Sequence, residues 1–173
     1  MKAMVRTETV LDSWKSIRQD TAQAVEDFPA GEFDFKATPE LMSFGELARH
    51  VLDASHGIIG MLLDGVDNLA TPQFREMIGK YRPQLPEKLD AATLASELRK
   101  SIETRTRELA AKDADFFSGL ITRFDGQRVT RLEMIQFVKE HELTHRAQMF
   151  VYLRLKGIVP CTTRRRQAAQ KSA

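Results

Sequence analysis

Apolar residues recur every three or four positions along four long stretches of the chain, a spacing that places them on one face of an α-helix. The first stretch covers about residues 5–27. The second opens at the sequence SFGE, positions 43–46, which has the form of a helix-starting capping box. The third covers about residues 90–112, and the fourth runs from a second capping box, TRLE at 130–133, to about Lys156. Four long helices without a strand-rich region predict an all-α fold, a four-helix bundle.

The segments between these helices predict two smaller elements. Threonine and proline at 71–72 are typical of a helix start and predict a short extra helix that ends near residue 80. Aspartate and glycine at 125–126 lie between β-prone residues in the segment 121–131. That pattern predicts a small hairpin just before the last long helix.

The end of the chain differs in composition from the rest. Residues 161–173 are polar, basic and poor in large apolar side chains, which predicts a disordered tail after a bundle domain covering residues 1–160. The formal net charge is +2, but four cations lie in this tail, so residues 1–160 carry −2. The run of three arginines at 164–166 suggests nucleic-acid binding only weakly, and the acidic body argues against such a partner.

The cysteine content and the hydropathy of the sequence indicate the cellular compartment. The 173 residues include one cysteine, so an internal disulfide framework is excluded and a reducing cytosol is favoured. The N-terminal sequence MKAMVRTETV lacks the apolar segment of a secretory signal. The apolar run at 58–63 is far shorter than the roughly 20 residues that cross a bilayer. We therefore expect a cytoplasmic protein that does not insert into a membrane.

The sequence HELTHRAQ, positions 141–148, contains the candidate chemistry of the chain. His141 and His145 are four residues apart, so they share the core-facing side of the last helix with apolar residues such as Val138, Met149 and Leu155. Burying two imidazoles is costly unless their nitrogens find partners, and a metal ion would serve both rings. The alternative is two core histidines that bond to backbone groups or carboxylates. The inward-facing pair favours the metal.

A metal ion needs at least one more ligand, and the remaining histidines are His50 and His56 in the second helix. They lie at opposite edges of that helix's apolar face, so periodicity does not choose between them. His50 has small or apolar neighbours that leave room for a cavity. His56 fits a partly exposed helical histidine with no ligand role.

The HELTH sequence also matches the zinc-protease pattern, in which Glu142 would act as general base. Such proteases take a third metal ligand from a later segment. No His, Asp or Glu follows His145 in this chain, so peptide hydrolysis is disfavoured.

Two segments together resemble the DinB/YfiT-like superfamily of four-helix metalloenzymes, which is distinct from the DNA polymerase that shares the DinB name. They are SFGELARHVLDA at 43–54 and EHELTHRAQMFVYLRLKGIVP at 140–160. The resemblance covers about residues 7–160 and is strongest in the last helix. Ala147 stands where that superfamily commonly has glycine.

This resemblance implies a divalent metal ion, either zinc, nickel or iron, held by His50, His141 and His145. Some superfamily members use a low-molecular-weight thiol such as mycothiol or bacillithiol. The implied function is a metal-dependent transferase or hydrolase in which a thiol or water attacks a small-molecule electrophile. Family members often pair through helix faces, so the resemblance also suggests a homodimer. A non-catalytic metal-binding or stress-response bundle is the alternative.

Three of the four further side chains near these histidines have two interpretations, and the fourth has one. Asp53 either orients a metal ligand or lies in solvent. Glu142 either supports the site or pairs with an arginine, and the second is favoured. Gln148 is expected to point inward, where it would touch a ligand or bridge helices. Arg146 is expected to make a structural salt bridge.

Overall fold

The computed structural model describes residues 6–172, and these form a bundle of four long helices with shorter elements between them. The helices are α1 (Thr7–Asp27), α2 (Phe44–Leu63), α3 (Phe74–Tyr81), α4 (Ala91–Ala110), α5 (Ala114–Ser118), α6 (Arg131–Leu155) and α7 (Cys161–Lys171). The strands are β1 (Leu120–Thr122) and β2 (Arg128–Thr130). None of the helices within residues 6–172 is long and apolar enough to cross a membrane.

The helix starts follow from local side-chain chemistry. The Ser43 hydroxyl accepts from the Glu46 N–H and the Glu46 carboxylate accepts from the Ser43 N–H, so the predicted capping box of α2 is present. Thr130 and Glu133 form the same reciprocal pair at α6. Asp90 caps α4 by accepting from the Thr93 N–H. Each cap satisfies a backbone donor that the helix itself leaves free.

The predicted hairpin is confirmed. β1 and β2 pair antiparallel with Ile121 opposite Val129, and Gly126 turns the chain between them with φ of 82°. Because this backbone conformation costs glycine little, the Asp-Gly sequence identified the turn correctly.

The four long helices pack in the cyclic order α1, α4, α2, α6. One apolar cluster joins the N-terminal halves of α1 and α6 to the C-terminal halves of α2 and α4. A second cluster joins the opposite halves. The helices α2 and α4 therefore run parallel, and the crossover between them contains α3, which packs on α2.

A layer of buried polar side chains separates the two apolar clusters. Every long helix contributes to this layer, which comprises Arg18, Thr21, Ser55, Ser101 and Glu142. The histidine sequence of α6 lies at the same level of the bundle, between the buried residues Val138 and Met149. Polar side chains therefore lie midway along the bundle, between the two apolar clusters.

Three details differ from the sequence expectations. The short helix begins at Phe74 rather than at Pro72, and its N-cap is Gln73 rather than Thr71, with no side-chain cap. Helix α5 was not predicted, and its five residues are too few for periodicity to reveal. The position Leu155, expected on the buried face of α6, is 58% exposed because it lies at the helix end beyond the core.

The predicted disordered tail is helical over Cys161–Lys171. Cys161 is buried against α1, and Arg164 and Arg165 form ion pairs with Asp27 and Asp20. These contacts with α1 are not evident from the composition of the segment. They also engage two of the three arginines that suggested nucleic-acid binding in ion pairs. Residue 5, where the first helix was predicted to start, lies outside the described residues, as do the outer ends of the predicted domain and tail.

Candidate metal centre

Three histidines from two helices converge at the level of the polar layer. His141 Nε2 lies 3.2 Å from His50 Nε2 and 3.1 Å from His145 Nε2. One ligand atom from each of the three lies within 4.8 Å of the others. His56 is absent from this cluster, since its Nδ1 lies 2.9 Å from the Ser101 hydroxyl. Of the two α2 histidines that the sequence left open, the structure brings His50 to the pair.

The spacing of these nitrogens fits a shared divalent cation. Imidazole nitrogens about 2.0–2.1 Å from one ion lie roughly 2.9–3.3 Å from each other in octahedral or tetrahedral geometry. Hydrogen bonding alone does not satisfy the cluster, because each ring nitrogen has either one N–H or one lone pair. His141 Nε2 therefore cannot make full hydrogen bonds to both neighbours, whereas one cation can accept all three lone pairs.

Burial favours the neutral forms of His50 and His141. The pKa of His141 is lowered to about 4, mainly by burial and to a smaller extent by the neighbouring His145 and His50. The charge of Glu142 opposes this shift. Burial and His145 also lower the pKa of His50, while Asp53 opposes the shift. Neutral rings offer the lone pairs that metal coordination requires.

Gln148 orients one of the histidines. Its Oε1 lies 2.7 Å from His145 Nδ1, and as a carbonyl oxygen it accepts the ring proton there. This bond leaves the lone pair of His145 on Nε2, the atom that faces the cluster. The Gln148 residue is exposed rather than inward-pointing as predicted, because it reaches back along the helix surface.

Asp53 pairs with Arg49 and does not bond to the histidines. Arg49 Nε donates to both carboxylate oxygens, at 2.9 and 3.0 Å, and Arg82 lies 3.9 Å away. Asp53 is only partly buried and influences His50 through its charge. Neither of its two predicted roles, ligand orientation or free solvation, describes this ion pair.

Glu142 lies buried behind the histidines at the centre of the polar layer. Its carboxylate accepts from Arg18 Nε at 2.6 Å, from Trp14 Nε1 at 2.6 Å and from the Thr21 hydroxyl at 3.0 Å. Arg18 also donates to the Ser55 hydroxyl at 2.7 Å. The predicted pairing with an arginine is present, but the partner belongs to α1 and not to a neighbouring turn.

The sequence analysis missed Arg18, although a signal was available. Arg18 occupies a buried position within the apolar repeat of α1, between Trp14 and Thr21. A charged residue at such a position implies an opposite charge on a facing helix. Arg146, in contrast, makes the expected salt bridge, with its Nη1 3.2 Å from Asp20 Oδ2.

Two cavities meet beside the histidines. One, of about 300 Å³, is bounded by apolar side chains together with His50 and His141. The other, of about 750 Å³, is a groove with many charged side chains that His50 also lines. Ala54 and Ile78 line both. The cluster is therefore accessible to a small molecule from two chemically different sides.

Comparison with known proteins places this geometry in context. The family model described as "DinB family" matches residues 2–171. An uncharacterized Bacillus subtilis protein, YjoA, is 25% identical over 154 residues, which cover 89% of this chain and 93% of the relative.

Solved structures share the fold. The crystal structure of the DinB-like B. subtilis YjoA has a TM-score of 0.67 at 22% identity, covering 86% of this chain and 92% of that one. YfiT from B. subtilis, described as a probable metal-dependent hydrolase with an unusual four-helix bundle topology, has a TM-score of 0.69 at 13% identity. The match covers 91% of this chain and 93% of YfiT. A mycothiol-dependent maleylpyruvate isomerase has a TM-score of 0.63 at 14% identity, covering 84% of this chain and 61% of the isomerase.

Proposed function

This chain belongs to the DinB family, and from that premise we propose that it is a divalent-metal-binding enzyme acting on a small-molecule electrophile. In this proposal His50, His141 and His145 hold the ion. The convergence of their three Nε2 atoms, with neighbouring distances of 3.1 and 3.2 Å, is the observation that supports it most directly. Three protein ligands leave coordination positions free, as in catalytic rather than structural sites.

A bound divalent ion would supply Lewis acidity, which makes a water or a thiol nucleophilic near neutral pH. The protein's own residues would contribute position and protonation state. Burial keeps His50 and His141 neutral, and Gln148 holds His145 with its lone pair towards the cluster. The Arg18–Glu142 ion pair fixes α6 against α1 directly beside His141.

Whether the nucleophile is water or a thiol can be argued only by analogy with proteins of similar fold. YfiT is described as a probable metal-dependent hydrolase, and the isomerase is described as mycothiol-dependent. At 13–14% identity these likenesses show the fold alone, so hydrolysis and thiol transfer both stay within the proposal. Zinc, nickel and iron are all compatible with three imidazoles. The homodimer suggested by the family resemblance also stays a prediction.

The alternative is a non-catalytic metal-binding bundle. It is favoured by one observation: the carboxylates of Asp53 and Glu142, the two acidic side chains that the sequence analysis proposed as supporting residues, are both paired with arginines. Coordination separates the two functions, because a structural site is closed by four protein ligands and an enzyme keeps positions for exchangeable ligands.

Elemental analysis of the purified protein tests the proposed ligands. We expect about one divalent ion per chain in the wild type and at least about a tenfold loss of affinity in His50→Ala and in His141→Ala. His56→Ala is the matched control in α2 and should keep its metal, since His56 bonds to Ser101 instead. Metal retained by His50→Ala but lost from His141→Ala would show the three-histidine assignment to be wrong. X-ray absorption should reveal three imidazoles plus exchangeable light ligands, and four protein ligands would favour the non-catalytic alternative.

A further inference from the structure

The smaller cavity beside the histidines is almost entirely apolar. Among residues 6–172, its only polar walls are the imidazoles of His50 and His141, which lie at the end nearest the proposed ion. The principal apolar walls are Ile58, Phe74, Ile78, Phe124, Phe137 and Val138. A molecule in this cavity would therefore find polar partners only at the histidine end, and at about 300 Å³ the cavity is at the lower limit of small-ligand pockets.

Three aromatic rings from separate elements form one wall of this cavity. The Phe124 ring, in the turn of the hairpin, has its centroid 5.6 Å from that of Phe74 in α3 and 5.4 Å from that of Phe137 in α6. The Arg123 guanidinium lies 5.2 Å from the Phe137 ring centroid. Phe124 is 40% exposed, so this large ring is placed at the cavity mouth rather than in the core. The wall consists mainly of the hairpin and α3, the two insertions to the bundle.

The larger groove has the opposite character. It contains four basic and four acidic side chains. Five of these form ion pairs with one another: Asp53 with Arg49 and Arg82, and Lys36 with Glu46. The groove offers hydrogen-bonding groups of both signs without a dominant charge. Because His50 lines both cavities, a molecule reacting beside His50 can extend into each of them at once.

We infer that the electrophile carries an aromatic or branched aliphatic group that enters the apolar cavity, while a polar remainder lies in the groove. This inference rests on the proposed function, because the reacting atom between the two parts must lie at the histidine-bound ion. Burial of an apolar ring against Phe74, Phe124 and Phe137 would provide affinity. The histidine end would then set the position of the reacting atom.

A pair of metal-binding probes tests this inference by binding rather than by activity. Benzohydroxamate and acetohydroxamate share one chelating group and differ only in a phenyl or methyl substituent. Isothermal titration of the zinc-loaded protein should show benzohydroxamate binding about tenfold to a hundredfold tighter, after correction for their affinities for free zinc. Phe124→Ala should reduce this ratio at least about threefold. Its exposure means that the fold should tolerate the change, which circular dichroism checks.

The matched control is Phe116→Ala, which removes a ring from the neighbouring α5 that does not line the cavity. It should leave the affinity ratio unchanged. Equal affinity for the two hydroxamates, with zinc bound, would overturn the apolar-group inference and leave the proposed function intact. An equal fall in the ratio for Phe116→Ala and Phe124→Ala would also overturn it. A protein that binds no metal would overturn the proposed function, and this inference with it.

Discussion

Glu142 follows the proposed ligand His141 in the sequence, but its carboxylate points to α1, where Trp14, Arg18 and Thr21 donate to it. Both members of the Arg18–Glu142 pair are almost completely buried, with side chains 0% and 1% exposed. All of the strong donors around this carboxylate belong to α1, so Glu142 is engaged in helix packing. A role as general base, which the HELTH sequence alone would suggest, is not supported by these contacts.

The Arg18–Glu142 pair gives a prediction at the scale of single residues. Glu142→Gln should lower the free energy of unfolding by about 3–5 kcal/mol, because Arg18 would become a buried charge without its counter-ion. Urea denaturation with a chelator present would measure this apart from any metal effect. Glu26→Gln, which breaks the exposed Arg99–Glu26 pair between α1 and α4, is the control and should cost no more than about 1 kcal/mol. Similar losses of unfolding free energy in both variants would contradict the expectation that burial makes the Arg18–Glu142 pair more costly to break.

At the scale of elements, α3 lies against α2 at a glycine. A Cβ added to Gly60 would lie 2.9 Å from Tyr81 Cδ1 and 2.7 Å from Arg105 Nη2. Because α3 provides Phe74 and Ile78 to the apolar cavity, this close approach also determines the shape of the candidate substrate site. The short crossover helix contains no buried residue of its own, and Gly57 and Gly60 are the α2 positions where an added Cβ would meet it.

Two alanine substitutions test this close approach. Gly60→Ala should lower the free energy of unfolding by about 1 kcal/mol, because the overpacking exceeds the gain in helix propensity. Gly79→Ala is the matched change in α3, where an added Cβ meets nothing within 4 Å. It should raise stability by about 0.5–1 kcal/mol through helix propensity. Thermal denaturation of both variants would measure the difference, and equal stabilisation would show that α2 and α3 are free to separate.

At the scale of the whole molecule, the two apolar clusters lie on either side of the polar layer. Every long helix contributes to both clusters, so we expect the bundle to fold without an ion. The proposed ion joins α2 to α6 at mid-height and would add stability only to the extent that it binds the folded state.

Metal removal should therefore lower the melting temperature without unfolding the bundle. At a free ion concentration a hundred times Kd, binding contributes about 2.7 kcal/mol. For a chain of this size that corresponds to roughly 5–11 °C. Circular dichroism melts with and without chelator would measure the shift, and His141→Ala should show none. Loss of helical signal on chelation at 25 °C, or equal shifts in both proteins, would contradict this expectation.

Local chemistry in the sequence determined the four long helices, the two capping boxes, the hairpin turn and the shared face of His141 and His145. Each of these depends on residues within one or two turns of each other, so periodicity and spacing are sufficient. The family resemblance pointed to His50 as the third histidine, but periodicity alone could not choose between it and His56.

Only the tertiary structure decided which groups from different helices meet. Contact between His50 and His141 depends on how α2 and α6 rotate against each other, and the Arg18–Glu142 pair joins residues 124 positions apart. The helical state of residues 161–171 depends on aspartates of α1, and the apolar cavity depends on the hairpin and α3 lying beside the bundle. Such contacts arise from packing between distant segments, which the spacing of residues along one segment does not encode.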